Sequence, residues 1–277
     1  MKSLLVTLGL ALAAAIGLGA GYLLWDTPKN WYAADVDKLG PGAENDLIRY
    51  GRDLVVDTAR HLGASATNPA MRYAGNDLAC QSCHLNAGLQ PFAAPFVSTF
   101  ATFPMLVDDQ VLTLHRRING CMMRSMNGKP LPDESREMQA LIAYIKFVGQ
   151  GSPQGVRVAG MGLRPLAMPT NPPDARRGAE VYAQHCAQCH KDDGQGEPKG
   201  GSAVGYNIPP LWGDASFNAA AGMAKTAYAA SYIHDNMPYG IDYQEPVLTV
   251  QQAWDVAAYI ISKPHPPAPP EAMPELQ

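Results

Sequence analysis

The sequence predicts a mainly α-helical protein built from two similar domains in tandem. Three observations carry that expectation. Cys80-Gln81-Ser82-Cys83-His84 is answered in the second half by Cys186-Ala187-Gln188-Cys189-His190. Ala143-Tyr144-Ile145 is answered by Ala258-Tyr259-Ile260, so each half reads as a helix, a Cys-x-x-Cys-His, a long loop and a closing helix. The offset of about 110 residues fits a duplicated domain, because solenoid repeats run about 20–50 residues. No apolar–polar alternation of strand length is visible anywhere.

The elements follow in order. Residues 1–25 hold Lys2, then an uncharged apolar run over 3–25 that ends at Asp26. That run is long for a signal core of about 7–15 residues and suits a spanning helix of about 20. An uncleaved anchor is therefore favoured over a cleaved signal. Lys2 stays inside, and everything after Asp26 faces the periplasm of a bacterium. Residues 26–45 read as a linker closed by the Leu39-Gly40-Pro41-Gly42 turn. The first domain spans 46–150, with helices expected over 46–62, 107–117 and 134–148 and loops over 63–79 and 85–104. Residues 151–173 are rich in Gly and Pro and read as the interdomain linker. The second domain, 174–264, opens with a helix over 174–186 and closes with one over 250–262. Residues 265–277 form an extended, Pro-rich tail.

Composition narrows the function. The 277 residues carry a formal charge of −4, with 25 acidic against 21 basic side chains, so nucleic acid is excluded as a partner. At 47% hydrophobic the chain can bury real cores, yet 24 Pro and 26 Gly imply much irregular backbone. Such a helical protein needs something non-protein to help fill its core.

Cys-x-x-Cys-His supplies it. Two cysteines three apart on a helical turn reach the two vinyl groups of one porphyrin as thioethers, and the adjacent His meets the iron. Cys80 and Cys83 would hold one haem c with His84 as proximal ligand, and Cys186 and Cys189 a second with His190. A shared Cys₄ zinc site does not fit, because the pairs fall in separate repeat units and zinc would not require the His residues. A thioredoxin-like reading lacks its βαβ context. Structural disulfides remain the bland alternative in an exported chain. The fold expected is thus two tandem class I cytochrome c-like domains, each with one covalent haem c, after an N-terminal hydrophobic helix.

The sixth ligands differ. Asn236-Met237-Pro238 lies before the closing helix, where a Met thioether on a Pro-held loop suits the distal face of the second haem. Met223 and His234 are fallbacks. Carrying Met237 back by the Ala-Tyr-Ile offset lands on Met122, one residue from Cys121, and spacing does not choose between them. Cys121 is the fifth, unpaired cysteine. A thiolate near iron and arginines would have a lowered pKa and ligate well. His115, Arg116, Arg117, Arg124 and Lys129 crowd around it. One or two of these suit haem propionates. The rest, with the Ser125 hydroxyl, suit a small dianion beside Cys121, since Arg offers forked donors to oxyanions.

These residues resemble a known family. Arg117-Ile118-Asn119-Gly120-Cys121 through Arg124-Ser125-Met126-Asn127-Gly128, then Leu131-Pro132, is similar to the signature of the dihaem thiosulfate dehydrogenases. So are Cys83-His84-Leu85-Asn86-Ala87-Gly88, Pro91-Phe92-Ala93-Ala94-Pro95 and Asn236-Met237-Pro238, and the likeness covers roughly residues 45–264. It implies a His84/Cys121 haem as active site and a His190/Met237 haem as electron relay. Arg117, Arg124 and Ser125 match the family's substrate positions. Some members carry a Lys before the second-haem Met that competes for iron, and Asn236 cannot. The implied activity is oxidation of two thiosulfate to tetrathionate, or the reverse. Electrons would pass to a periplasmic cytochrome c or high-potential iron–sulfur protein, with the inner membrane a further partner if residues 3–25 stay uncleaved. The alternative from another class is a membrane-anchored dihaem electron shuttle without substrate chemistry.

Overall fold

A computed structural model describes residues 32–107, 109–156 and 158–270. The export or anchor segment, residues 1–25, lies outside them, as does the end of the Pro-rich tail. Among the described residues no helix is long and apolar enough to cross a membrane. The first half packs α1 (Ala43–Val56) against α3 (Arg136–Val148), with α2 (Leu114–Arg124) between them in sequence. The second packs α4 (Ala175–His185) and α5 (Thr226–Asn236) against α6 (Val250–Ile261). Helix starts follow capping chemistry. The side chains of Thr113, Ser135, Asp174 and Thr249 accept backbone N–H groups at the starts of α2, α3, α4 and α6.

The repeated Ala-Tyr-Ile has a physical basis in the helix crossings. α1 meets α3 at Gly51, where a Cβ would collide with the Ala140 carbonyl and the Tyr144 Cβ. α4 meets α6 at Gly178, where a Cβ would collide with the Asp255 carbonyl and the Tyr259 Cβ. Each half thus crosses its first and last helices through a glycine seated one turn before the repeated Tyr. Neither contact can relax through a flexible side-chain end, because backbone is what the Cβ meets. Gly51→Val and Gly178→Val are each expected to destabilise the holoprotein by about 3 kcal/mol through overpacking. Thermal unfolding checks this, and an unchanged midpoint would refute the close crossing.

Several expectations need correction. The helix expected over 46–62 breaks at Asp57 (φ −133°, ψ 47°) and resumes as Thr58–Leu62. Strands exist, although none was expected. β1 (Met105–Val107) pairs antiparallel with β2 (Gln110–Leu112), and β3 (Glu197–Pro198) with β4 (Tyr206–Ile208). The first hairpin occupies the start of the helix expected over 107–117. β-branched Val107 and Val111 flank its turn, with Asp109 at φ +61°, and the helix begins only after Thr113. α2 therefore runs on through Cys121, so that residue sits on a helix and not on a loop. Helix α5 had not been anticipated, and Met237 caps its end.

The segment read as a linker is a packed strap. The Gly160 and Gly162 carbonyls accept from Phe92 N (2.7 Å) and Ala94 N (3.0 Å) in the first half. Leu166 N donates to Ser231 Oγ (3.2 Å), and Trp254 Nε1 donates to the Ala167 carbonyl (2.9 Å), both in the second. Direct contacts add to this. Asn76 and Asn127 side chains donate to the Ser216 carbonyl (3.2 and 2.7 Å), and Asn218 Nδ2 donates to that of Met123 (2.9 Å). Phe217 and Ala221 of the second half belong to the core of the first. The tail begins docked as well, because the Pro264 and Pro266 carbonyls accept from Gly213 N and Ala219 N.

Candidate functional site

The two cysteine–histidine turns are built alike around their histidines. His84 Nδ1 bonds the Ala94 carbonyl at 2.6 Å, and His190 Nδ1 bonds the Pro209 carbonyl at 3.0 Å. Spending Nδ1 on a carbonyl fixes the tautomer and leaves Nε2 as the ligating nitrogen, the arrangement an axial haem ligand needs. Burial lowers the His190 pKa, which also favours the neutral ligating form.

The first site is a cavity of about 250 Å³. Cys80, Cys83 and His84 line it together with Arg117, Cys121 and Ser125 from α2. Apolar side chains fill most of the remaining wall, among them Leu54, Phe96, Leu141 and Ile145. An apolar chamber with two attachable thiols and a ring nitrogen beside them fits a covalent haem. Thr58 holds the first of these thiols. Its Oγ1 accepts from Cys80 N at 3.0 Å and lies 3.4 Å from Cys80 Sγ.

The loop bearing His84 is bent tightly. Asn86, Ala87, Phe92 and Ala94 all have φ between +47° and +57°. Such backbone costs non-glycine residues roughly 1–3 kcal/mol each and persists only when its surroundings over-determine it. Here the strap carbonyls hold Phe92 and Ala94, and the buried Tyr144 hydroxyl donates to the Ala87 carbonyl at 2.8 Å. The first repeated Tyr therefore supports the proximal loop. In the second half Tyr259 packs with Tyr182 and Trp212, and Tyr182 Oη donates to the carbonyl of Lys191, next to His190 (2.7 Å).

Helix α2 sets the opposite side. Arg117, Cys121, Arg124 and Ser125 follow helical spacing, so they share one face. Asn119 anchors the helix by bonding both backbone groups of Leu131, at 2.9 and 2.8 Å. Cys121 and His84 line the same cavity from α2 and from the cysteine–histidine turn, and Met122 lines it too while belonging to the first core. Burial is the largest influence on the Cys121 thiol and pushes its pKa up. The charge of Arg117, with Arg124 adding to it, acts against that burial and draws the thiol below its ordinary range. Cys80 and Cys83 share the cavity but lack those cations, and burial drives them up to about 11 and about 12. Of the three, only Cys121 is drawn toward the thiolate form.

The basic cluster divides. Arg117 is exposed and lines the cavity, so it stands at the mouth. Arg124 is buried and acts on Cys121 through its charge. Arg116 turns away to the hairpin, donating to the Val111 carbonyl (3.1 Å), and Lys129 lies over the Tyr73 ring (5.0 Å). His115 is not part of the wall.

In the second site Met237 packs against the apolar cluster that also touches Cys186 and Leu211. Burial raises the Cys186 thiol to about 11, and Cys189 is exposed. The two fallback ligands are close by, Met223 packing against the same Leu85, Ala93 and Tyr232 cluster as Met237. Met223 lines the first cavity, and His234 Nδ1 is bonded to Asp235 at 2.8 Å. Phe217, Met223, Met161 and Gly162 also line the first cavity from outside the first half, which the sequence pattern did not suggest.

Comparisons with known proteins agree with this construction. Residues 71–154 match the family model described as "SoxA/TsdA, cytochrome c domain", and residues 175–263 match that described as "Cytochrome c". The thiosulfate dehydrogenase of Thiomonas intermedia is 36% identical over 92% of this chain and 75% of its own length. That of Stutzerimonas stutzeri is 35% identical over 96% and 87%. A solved thiosulfate dehydrogenase (TsdBA) from Marichromatium purpuratum superposes with a TM-score of 0.71 at 32% identity, over 83% of this chain and 48% of that one.

Proposed function

This chain belongs to the thiosulfate dehydrogenase family, and we propose that it joins two thiosulfate dianions into tetrathionate at Cys121. Two covalent haems c supply two one-electron acceptors, with thiolate ligation lowering the first potential and methionine raising the second. The residues that would hold them are Cys80, Cys83, His84 and Cys121 for the first, and Cys186, Cys189, His190 and Met237 for the second.

The observation that carries the reading is the placement of Cys121 on one helix face with Arg117, Arg124 and Ser125, where Cys121, Arg117 and Ser125 line the apolar cavity that also holds Cys80, Cys83 and His84. The arginines offset the repulsion between an anionic sulfur and two dianions, an effect that low dielectric strengthens. Ser125 can donate to a sulfonate oxygen. In the first step Cys121 Sγ bonds the terminal sulfur of one thiosulfate as two electrons leave. In the second, another thiosulfate attacks that sulfur, tetrathionate departs and the Cys121 thiolate returns. Two dianions become one dianion and two electrons, with no proton transferred. The same steps reversed reduce tetrathionate.

Periplasmic placement is supported by the apolar run over 3–25 and by covalent haem attachment, which takes place outside the cytoplasm. The exposed Cys189 supports electron exit from the second haem to an external cytochrome c or high-potential iron–sulfur protein. The test is turnover of the purified dihaem protein with thiosulfate and ferricyanide. One tetrathionate per two thiosulfate consumed is expected. No turnover in either direction, with both haems reducible, would leave an electron shuttle.

A further inference from the structure

Arg164 lies on the strap between the two halves, remote from the attachment motifs in sequence. Its guanidinium forms a fork with Asp235, Nε to Oδ2 at 3.0 Å and Nη2 to Oδ1 at 2.6 Å. Nη2 also donates to the Tyr243 carbonyl at 2.9 Å. Asp235 precedes Met237 and Tyr243 follows it, so one guanidinium pins both ends of the loop that carries the methionine. The pin is stiff. The guanidinium lies 5.5 Å from the ring centres of both Phe92 and Tyr243, and Asp235 is 1% exposed.

The same residues reach the other site. Phe92 N donates to the Gly160 carbonyl of the strap, and the Phe92 carbonyl accepts from Asn236 Nδ2 at 3.2 Å. Ala94, whose carbonyl holds His84 Nδ1, hangs from Gly162 of that strap.

We propose that Arg164 is a positioning residue for Met237, clamping its loop onto the first half so that the thioether stays on the second haem. This rests on the assignment of Met237 as that haem's ligand. A freed loop would trade the thioether for a weaker ligand, lower the second potential and slow electron departure, with substrate binding untouched. Lysine would keep the charge but lose the fork and the flat stacking face.

The test uses the full dihaem protein with Arg164→Gln and Arg164→Lys, read by ferric spectroscopy and potentiometric titration. Arg164→Gln is expected to lose most of the far-red methionine-to-iron band and to lower only the second potential. Its kcat should fall by roughly tenfold at unchanged KM for thiosulfate, the mark of a misplaced group outside the substrate site. Arg164→Lys should fall between it and the unsubstituted protein. A full band and unchanged second potential in Arg164→Gln would overturn the proposal. Should that variant fail to fold, Arg164→Lys decides alone: a weakened band supports the clamp and a full one overturns it. A band that persists in Met237→Ala would instead overturn the ligand assignment, and the clamp with it.

Discussion

Cys121→Gly is expected to lower thiosulfate turnover by about 10³-fold or more, since removing a nucleophile that works as part of a unit typically does so. Both haems should remain attached, because their thioethers depend on Cys80, Cys83, Cys186 and Cys189. The ferric spectrum of the first haem should change and that of the second should not. Glycine inside α2 costs about 1 kcal/mol of helix stability, so Cys121→Ala serves as the control for folding. The size of the effect follows from what Cys121 has that its neighbours lack. It lies in the same cavity as Cys80 and Cys83, yet of the three it is the thiol that the charges of Arg117 and Arg124 draw down, while burial raises the other two. Unimpaired turnover in either variant would place the chemistry elsewhere.

Arg117→Gln is expected to reduce kcat/KM for thiosulfate by about 10²-fold, the range found when one donor to a developing anion is removed. Thermal stability should hold, because Arg117 is exposed and its role is at the cavity mouth. The remaining activity should depend less on ionic strength, since an exposed charge that steers a dianion is the part salt screens. Arg124→Gln should behave differently. That residue is 4% exposed, so its loss lowers stability as well as activity. A kcat/KM for Arg117→Gln within about twofold of the unsubstituted protein would remove Arg117 from the substrate site, given that a single useful donor is worth far more.

Much of the candidate site is legible in the sequence. Cys-x-x-Cys-His declares its chemistry because thioether attachment and axial ligation impose one local spacing. Ala-Tyr-Ile declared the repeat because both halves seat a glycine against the turn before that Tyr. The starts of the flanking helices were legible to within a few residues, since capping side chains such as Ser135, Asp174 and Thr249 act locally. The helix bearing Cys121 begins later and runs further than the 107–117 expected from the sequence, ending at Arg124. Asn119-Gly120-Cys121 are poor helix formers, and what holds them helical is the bond pair to Leu131, a contact no local propensity contains. The helical spacing of Arg117, Cys121 and Ser125 was the available signal.

The amino-acid order by itself determined the cofactor class, the duplication, the odd cysteine and the arginines near it, because each is a matter of residue type at short spacing. Only the tertiary structure decided that Cys121 lines the cavity of Cys80, Cys83 and His84 together with Arg117 and Ser125, that Met223 lines it too, and that residues 160–167 are a strap and not a tether. Those choices depend on which distant groups share a desolvated space. Burial and nearby charge in that space act on the Cys121 thiol, and the Arg164 fork pins the loop of Met237.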